Sequence, residues 1–393
     1  MPANPPIPAS ADAITPAWMQ EALAAGGASG LPPIEAMTVS GIGAEMGMQA
    51  ELLRCRMSWA GGAAAPFDSV VVKLPSAVSR TRRVSASLKF YKREYDFYRH
   101  VAHRLPFRTP ALLYGDCRGG NQDFVLVLED LEGSEMVPVE VGATAAQARG
   151  AVRTVAKLHG LYWENFSDPP ASGFHDALNR KTRILSQLAY LRYLAPALQH
   201  FGHLFSDDLK RFAEAFGPRV FDYLRDVGER PRTFIHGDYY LPNLFYGSGG
   251  PDDIIVIDWQ VSGIASGPFD VSYFMARSVA PQVRREIERE AVAEYRDIVA
   301  SMGARHLTFE ECWDLYRRNM LTCLMILVVS LGLLGHTDQL SRRLVEVAMA
   351  RLVAAFEDLD AYEFLPGPRP FFSLANAFSA SSRLGYRLSR GIA

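Results

Sequence analysis

The sequence has few cysteines and no surplus of either charge, and both absences exclude classes of protein. Four cysteines occur in 393 residues, at Cys55, Cys117, Cys312 and Cys323, without any C-x-x-C pair. This spacing fits neither a zinc-ligand pattern nor the disulfide framework of a secreted domain, so a cytoplasmic, reducing environment is expected. The formal net charge of −2 argues against a nucleic-acid-binding protein, which usually carries a basic surface.

Long apolar runs are also missing. The first residues, MPANPPIPASADAITPAW, have neither the basic start nor the apolar run of a signal peptide. The most apolar segment, residues 320–334, is shorter than the roughly 20 residues that span a bilayer. We therefore expect a buried helix there and no membrane span. The hydrophobic content of 49% is enough for the core of one large or two ordinary domains.

The most informative stretch is residues 234–260, FIHGDYYLPNLFYGSGGPDDIIVIDWQ. Its pattern predicts a hairpin, because the apolar strands Leu244–Tyr246 and Ile254–Ile257 flank a turn rich in glycine. A hairpin brings the ends of its strands together, so Asp238, Asn243 and Asp258 are expected to converge. The alternative for each residue alone is an ordinary turn-forming Asp or Asn.

The three polar residues predict a site for Mg²⁺ and a phosphoryl-transfer loop. Two carboxylates and an amide suit a hard cation that shares its remaining positions with water and phosphates. Asp238 and Asn243 have the D-x-x-x-x-N spacing of kinase catalytic loops, in which the Asp accepts the proton of the acceptor hydroxyl and the Asn binds metal. Asp258, after an apolar strand, is the second predicted metal ligand.

These motifs resemble those of a known family. The HGD…N and IDWQ elements, followed by G-x-x-x-x-P-x-D at Gly263, Pro268 and Asp270, are similar to the aminoglycoside-phosphotransferase and choline-kinase-like small-molecule kinases. Within that group the chain most resembles the ecdysteroid-kinase-like bacterial phosphotransferases. The resemblance implies ATP, Mg²⁺ and a bilobal, protein-kinase-like α+β fold. A small N-terminal lobe (1–130) would hold an antiparallel sheet plus one helix, and a larger, mainly α-helical lobe (131–393) would bind the substrate.

The first lobe contains a candidate phosphate loop. Gly41, Gly43 and Gly47 give G-x-G-x-x-x-G between two predicted strands, and glycine lets backbone N–H groups approach an anion. An ordinary hairpin turn is the alternative. At the far end of the lobe, the resemblance makes the end of strand 123–131 a hinge, whose backbone near Glu129 to Leu131 would bind the adenine edge.

Lys73 and Glu94 are each a charged residue in an apolar segment, and an ion pair between them would account for both. Lys73 lies in the apolar run FDSVVVKLP, and Glu94 lies in the apolar stripe of a helix predicted over about residues 81–105. Buried charges are costly unless they are paired. Kinases use such a pair, in which the Lys contacts phosphates and the Glu holds it. An edge lysine that blunts aggregation is the alternative for Lys73.

The spacing after Asp258 separates small-molecule kinases from protein kinases. Only 11 residues lie between Asp258 and Asp270, which leaves no room for an activation segment ending in A-P-E. HGD also replaces HRD, and DWQ replaces DFG. His236 and Asp270 are expected to support the catalytic loop. The periodicity of the remaining chain predicts helices, among them residues 144–163, 281–300, 308–335 and 339–360.

We therefore predict a phosphotransferase that phosphorylates a hydroxyl group of a small organic molecule. The side chains expected near the site are largely aromatic or apolar, which favours a fairly apolar alcohol such as a steroid, a hydroxy acid or its thioester. These residues are Tyr239, Tyr240, Trp163, Phe274 and Met275. The alternatives are that these side chains form ordinary core, that the acceptor is an aminoglycoside or macrolide antibiotic, or that the protein is a non-catalytic nucleotide-binding relative. A metallophosphoesterase is a further alternative that the sequence disfavours, because its D-x-H and G-N-H elements are missing.

Overall fold

The structure, a computed structural model, describes residues 4–42, 50–119, 123–166, 174–334 and 339–367. Of the predicted phosphate loop, Gly41 is included, whereas Gly43 and Gly47 lie outside the described residues. The chain divides into two compact units, the first comprising Met1–Glu135 and Ile255–Ser262 and the second comprising Met136–Ile254 and Gly263–Ala393. The short segment that carries Asp258 thus packs with the first unit. The division into functional lobes at residue 130 stays a prediction.

The first unit is built on a five-stranded antiparallel sheet. The strands are β1 (Ile34–Gly41), β2 (Ala50–Trp59), β3 (Ser69–Pro75), β4 (Leu112–Arg118) and β5 (Asp123–Glu129), in the order β1-β2-β3-β5-β4. Helix α1 (Pro16–Ala25) begins after Thr15, whose side chain accepts a hydrogen bond from the Trp18 N–H. Its apolar side chains, including Trp18 and Leu23, complete the core on one face of the sheet.

Two short helices follow β3 where the sequence predicts a single helix. Helix α2 spans Ser79–Ser87 and helix α3 spans Phe90–His100. Lys89 between them has a φ of 59°, a left-handed conformation that interrupts the regular helical hydrogen bonding. The break leaves the predicted stripe intact, since Glu94, Phe97 and Tyr98 are all buried on α3.

The second unit is mainly helical. Its helices are α4 (Ala145–Tyr162), α5 (Arg180–Phe201), α6 (Asp207–Phe216), α7 (Val220–Gly228), α8 (Phe269–Ser278), α9 (Pro281–Ser301), α10 (Phe309–Leu334) and α11 (Gln339–Asp358). The remaining strands are β6 (Glu135–Met136), β7 (Arg232–Ile235), β8 (Leu244–Tyr246), β9 (Ile254–Val256) and β10 (Gly263–Ser266). Strand β7 pairs with β10 in antiparallel register.

The predicted fold class is confirmed. The N-terminal region forms an antiparallel sheet and the C-terminal region is helical, as expected for an α+β, protein-kinase-like protein. The first unit differs in detail, because it contains α1, α2 and α3 rather than one helix. The predicted hairpin is also present: β8 and β9 flank a turn that is closed by a hydrogen bond from the Gly247 N–H to the Asp253 carbonyl at 2.7 Å.

Helix α10 contains the most apolar segment of the chain. Within the described ranges it is the one helix long and apolar enough to cross a membrane, from Phe309 to Gly332, and 61% of its apolar stretch is buried. Met320, Leu321 and Leu324 have no exposed surface. It packs against α5 and α8. Burial of this kind agrees with the predicted core helix.

Candidate active site

Lys73 joins two carboxylates within the first unit. Its Nζ lies 2.7 Å from Glu94 Oε2 and 2.9 Å from Asp258 Oδ1. Lys73 is 7% exposed and Glu94 1%, whereas the Asp258 side chain is 24% exposed. Strand β3 supplies the lysine, the apolar face of α3 supplies the glutamate, and the segment after β9 supplies the aspartate. The pairing expected for Lys73 and Glu94 is present, and Asp258 keeps open surface for a further ligand.

Charge and burial act against each other in this trio. Burial by itself disfavours the charged lysine, but the Asp258 and Glu94 carboxylates outweigh it and raise the pKa of Lys73 above its usual value. Burial also raises the pKa of the Glu94 carboxyl, and Lys73 together with the Trp259 backbone N–H opposes that shift. The lysine is therefore a fixed cation at neutral pH.

Asp258 is held in an uncommon backbone conformation. Its φ is 63°, in the left-handed region that few non-glycine residues adopt. The next residue anchors the turn: the Trp259 ring stacks on Phe97 with centroids 3.8 Å apart. Gln260 Nε2 donates to Asp258 Oδ2 at 3.0 Å. Both oxygens of the carboxylate are thereby oriented. Strain kept in place by surrounding packing is common at functional sites.

In the second unit, Asp238 lies at the centre of a polar cluster. Asn243 Nδ2 donates to the Asp238 carbonyl at 2.8 Å and to Asp238 Oδ2 at 3.3 Å. The Tyr273 hydroxyl donates to Asp238 Oδ1 at 2.9 Å, and Arg277 Nη1 lies 4.0 Å from the same oxygen. The Asp238 side chain is 31% exposed. A carboxylate that is oriented by hydrogen bonds and still accessible suits a base that accepts a hydroxyl proton.

A buried network supports the loop that carries Asp238. Asp270 accepts hydrogen bonds from the backbone N–H groups of His236 at 2.7 Å and Gly237 at 2.9 Å. Its Oδ2 also lies 3.1 Å from His159 Nε2. His236 in turn accepts the Asp238 N–H through Nδ1 at 3.2 Å. The structural roles expected of Asp270 and His236 match these contacts, and His159 joins the same network.

Asn243 in the second unit and Asp258 in the first each have an oxygen of the kind that Mg²⁺ prefers. Asn243 uses its amide nitrogen in both contacts with Asp238, so its Oδ1 remains for a cation. Asp258 contributes a partly exposed carboxylate. Among the described residues no group of three or more His, Cys, Asp or Glu side chains could hold a metal alone. Mg²⁺ itself binds through one or two carboxylates and completes its shell with phosphates and water. A shared ion between Asp258 and Asn243 stays a prediction.

The predicted adenine-binding stretch is fixed by local contacts. The Glu129 carboxylate accepts from Arg108 Nη2 at 3.0 Å and from the Ala111 N–H at 3.1 Å. The Glu129 N–H donates to the Ala111 carbonyl, and the Leu131 carbonyl accepts from the Ser134 N–H. Glu129 therefore anchors the end of β5. Binding of adenine by this backbone stays a prediction.

Sequence reasoning missed three residues of the two clusters. Tyr273 and Arg277 contact Asp238 from α8, and Gln260 contacts Asp258. Arg277 had a detectable signal, because it is a basic residue in a helix whose other side chains are largely apolar and buried. Gln260 belongs to the IDWQ motif, but its contact with Asp258 could not be read from sequence. Of the aromatic residues expected near the acceptor, Tyr239 and Phe274 are buried in the hydrophobic core.

The part of the chain that contains these motifs matches a known protein family. The sequence model of the ecdysteroid kinase-like family matches residues 50–306, which include Lys73, Glu94, Asp238, Asn243 and Asp258. A comparison with curated proteins finds no match.

Several solved structures resemble this chain. Choline kinase from Cryptosporidium parvum is 11% identical with a TM-score of 0.49, over 84% of this chain and 92% of that chain. Ethanolamine kinase from Plasmodium vivax is 12% identical with a TM-score of 0.45, over 83% and 84%. The aminoglycoside phosphotransferase APH(2")-IIa in its gentamicin complex is 15% identical with a TM-score of 0.47, over 82% and 94%.

Proposed function

This chain belongs to the ecdysteroid kinase-like family and is a small-molecule kinase, and we propose that it transfers the γ-phosphoryl group of ATP to a hydroxyl of a fairly apolar alcohol in the cytoplasm. The observation that carries the proposal is the placement of Lys73 within 2.9 Å of both Glu94 and Asp258. Such an arrangement of a fixed cation beside a metal-binding carboxylate is what a nucleotide phosphate site requires.

The named side chains divide the tasks of this reaction among them. Lys73, held by Glu94, neutralises phosphate charge. Asp258 and Asn243 would hold Mg²⁺, which would supply positive charge to the phosphoryl group being transferred. Asp238, oriented by Asn243 and Tyr273, accepts the proton of the acceptor hydroxyl. Phosphoryl transfer passes through a loose transition state with spread charge, so positioning and electrostatics supply most of the catalysis.

The proposal of an apolar acceptor draws on the side chains beside Asp238. The rings of Tyr240 and Tyr273 both lie 4.7 Å from the Arg277 guanidinium, which itself lies close to Asp238. Two aromatic rings and a fixed cation form poor surroundings for a polycationic aminoglycoside.

The experiment measures ATP consumption and phosphorylated product with Mg²⁺ and a panel of hydroxylated compounds, including steroids, hydroxy acids and aminoglycosides. Wild type is expected to turn over at least one acceptor, and Asp238→Asn to lower the rate by about 10²–10⁴-fold. Asp258→Ala is expected to abolish turnover without unfolding the protein. Asp297→Ala, at a side chain 64% exposed, is the matched control. Full activity of Asp258→Ala would refute the metal assignment.

A further inference from the structure

Arg277 is a charged residue of the second unit that lies between two aromatic rings. It lies near the end of α8, with its guanidinium over the rings of Tyr240 and Tyr273 at 4.7 Å from each centroid. Its Nη1 donates to the Tyr273 hydroxyl and lies 4.0 Å from Asp238 Oδ1. The side chain is 21% exposed. A guanidinium in this position lies beside the carboxylate that faces the acceptor hydroxyl.

The hydrogen-bonding capacity of Arg277 is largely unused. A guanidinium has five N–H donors in a planar fork that fits a carboxylate. Within the described part of the chain, the Tyr273 hydroxyl is the acceptor that its side chain reaches, since 4.0 Å to Asp238 is too long for a hydrogen bond. Its Nε is buried without a partner among those residues, so the exposed part of the group is the Nη end.

Its position and charge are fixed before any ligand binds. Two aromatic rings hold the guanidinium plane, and Tyr273 connects it to Asp238. The backbone of Arg277 is held too, because its carbonyl accepts from Arg351 Nη1 at 3.2 Å. A pre-organised, desolvated guanidinium binds an anion at a lower entropic cost than a flexible one.

We propose that Arg277 recognises a carboxylate on the acceptor, so that the substrate is a hydroxylated carboxylic acid whose hydroxyl faces Asp238. This inference rests on the proposed kinase reaction and narrows its acceptor. The 4.0 Å between Asp238 Oδ1 and Arg277 Nη1, together with two hydrogen bonds of about 2.7–3.0 Å, keeps the hydroxyl oxygen and the nearer carboxylate oxygen within about 10 Å of each other. Carboxylic acids with a hydroxyl group at carbon 3 (3-hydroxy acids) meet this limit.

The test measures binding separately from turnover. Isothermal titration of the full chain, with Mg²⁺ and a non-hydrolysable ATP analogue, compares 3-hydroxy acids of four to ten carbons with their primary amides. Charge-assisted hydrogen bonds predict that the best acid binds about 10–100-fold more tightly than its amide. Arg277→Gln is expected to remove that difference, and Arg277→Lys to keep part of it, because a lysine offers a charge without the fork.

Arg289→Gln is the matched control. The Arg289 guanidinium also lies over two rings, Phe309 at 5.2 Å and Trp313 at 4.8 Å, but on α9. This variant is expected to retain the preference for the acid. Melting temperature and nucleotide affinity of each variant show whether a loss reflects misfolding.

Two results would overturn the inference: equal affinity of wild type for acid and amide throughout the series, or an unchanged preference in folded Arg277→Gln. Turnover of hydroxylated compounds without any preference for acids would leave the kinase reaction standing and remove the carboxylate site. Acid-selective binding that depends on Arg277, without consumption of ATP, would support the site and refute the kinase reaction.

Discussion

Replacing Lys73 with methionine should destabilise the protein strongly, because it leaves the buried Glu94 carboxylate without its cation. The two groups lie 2.7 Å apart, and Glu94 is 1% exposed. At that separation the attraction is about 6 kcal/mol for an effective dielectric constant near 20, part of which offsets the desolvation of both charges. Removing one partner of a buried pair costs about 3–5 kcal/mol. We expect that loss at pH 8.

The cost should depend on pH, with a sign that follows from the two pKa shifts. Without Lys73, only the hydrogen bond from the Trp259 backbone N–H opposes the effect of burial, so the pKa of Glu94 in the folded variant rises further above its unfolded value. The folded variant then binds a proton that the unfolded chain releases, and its stability falls as pH rises through that window. The slope is about 1.4 kcal/mol per pH unit. Lys73 has a raised pKa and stays charged in both states of the wild type below pH 9. The variant is therefore less impaired at pH 5.

Urea unfolding followed by circular dichroism at pH 5 and pH 8 measures both effects. Adding Glu94→Gln to Lys73→Met removes the orphaned charge and should recover most of the loss. Lys92→Met is the control, because Lys92 is 54% exposed and pairs with Asp96 on the surface of α3, where such pairs contribute about 0–1 kcal/mol. A cost below about 1 kcal/mol for Lys73→Met, or a cost that grows as pH falls, would refute the reasoning.

Two further predictions concern the second unit. The Asp270 carboxylate accepts backbone N–H groups at 2.7 and 2.9 Å, and Asp270→Asn would replace one of its oxygens with an amide donor. This substitution should cost about 2–4 kcal/mol in urea unfolding and lower the turnover rate. The control Asp252→Asn, at an exposed side chain, should change neither quantity. Gly150→Ala places a Cβ 2.0 Å from the backbone oxygen of Pro251, so the variant should lose about 1–3 kcal/mol of stability and melt at a lower temperature. In the control Gly202→Ala the nearest atom to the new Cβ is 3.9 Å away, so this variant should melt like wild type. An equal effect of both substitutions would contradict the packing argument.

The pairing of Lys73 with Glu94 could be predicted because each residue violates its local pattern. A lysine in an apolar strand and a glutamate in the apolar stripe of a helix both need an oppositely charged partner, and each can provide it for the other. The hairpin ahead of Asp258 was predictable for a similar reason, since glycine and proline mark its turn between two apolar runs. In these places short-range rules and the final packing agree.

The surroundings of Asp238 could not be predicted in the same way. Tyr273 lies 35 positions further along the chain, and helical periodicity does not tell which residues of α8 meet the loop. The break at Lys89 was also missed, because its positive φ is imposed within an otherwise helical stretch. Both features depend on how finished elements pack, which sequence patterns of a few residues do not encode.

The sequence by itself determined the family motifs, the fold class and the chemical types of the candidate site residues, since periodicity, turn residues and misplaced charges act over short distances. Only the tertiary structure decided that the segment carrying Asp258 joins the first unit, that Gln260 orients its carboxylate and that Arg277 lies beside Asp238. Those outcomes depend on contacts between elements that are distant in the chain, and such contacts form only when the elements pack and their charges pair.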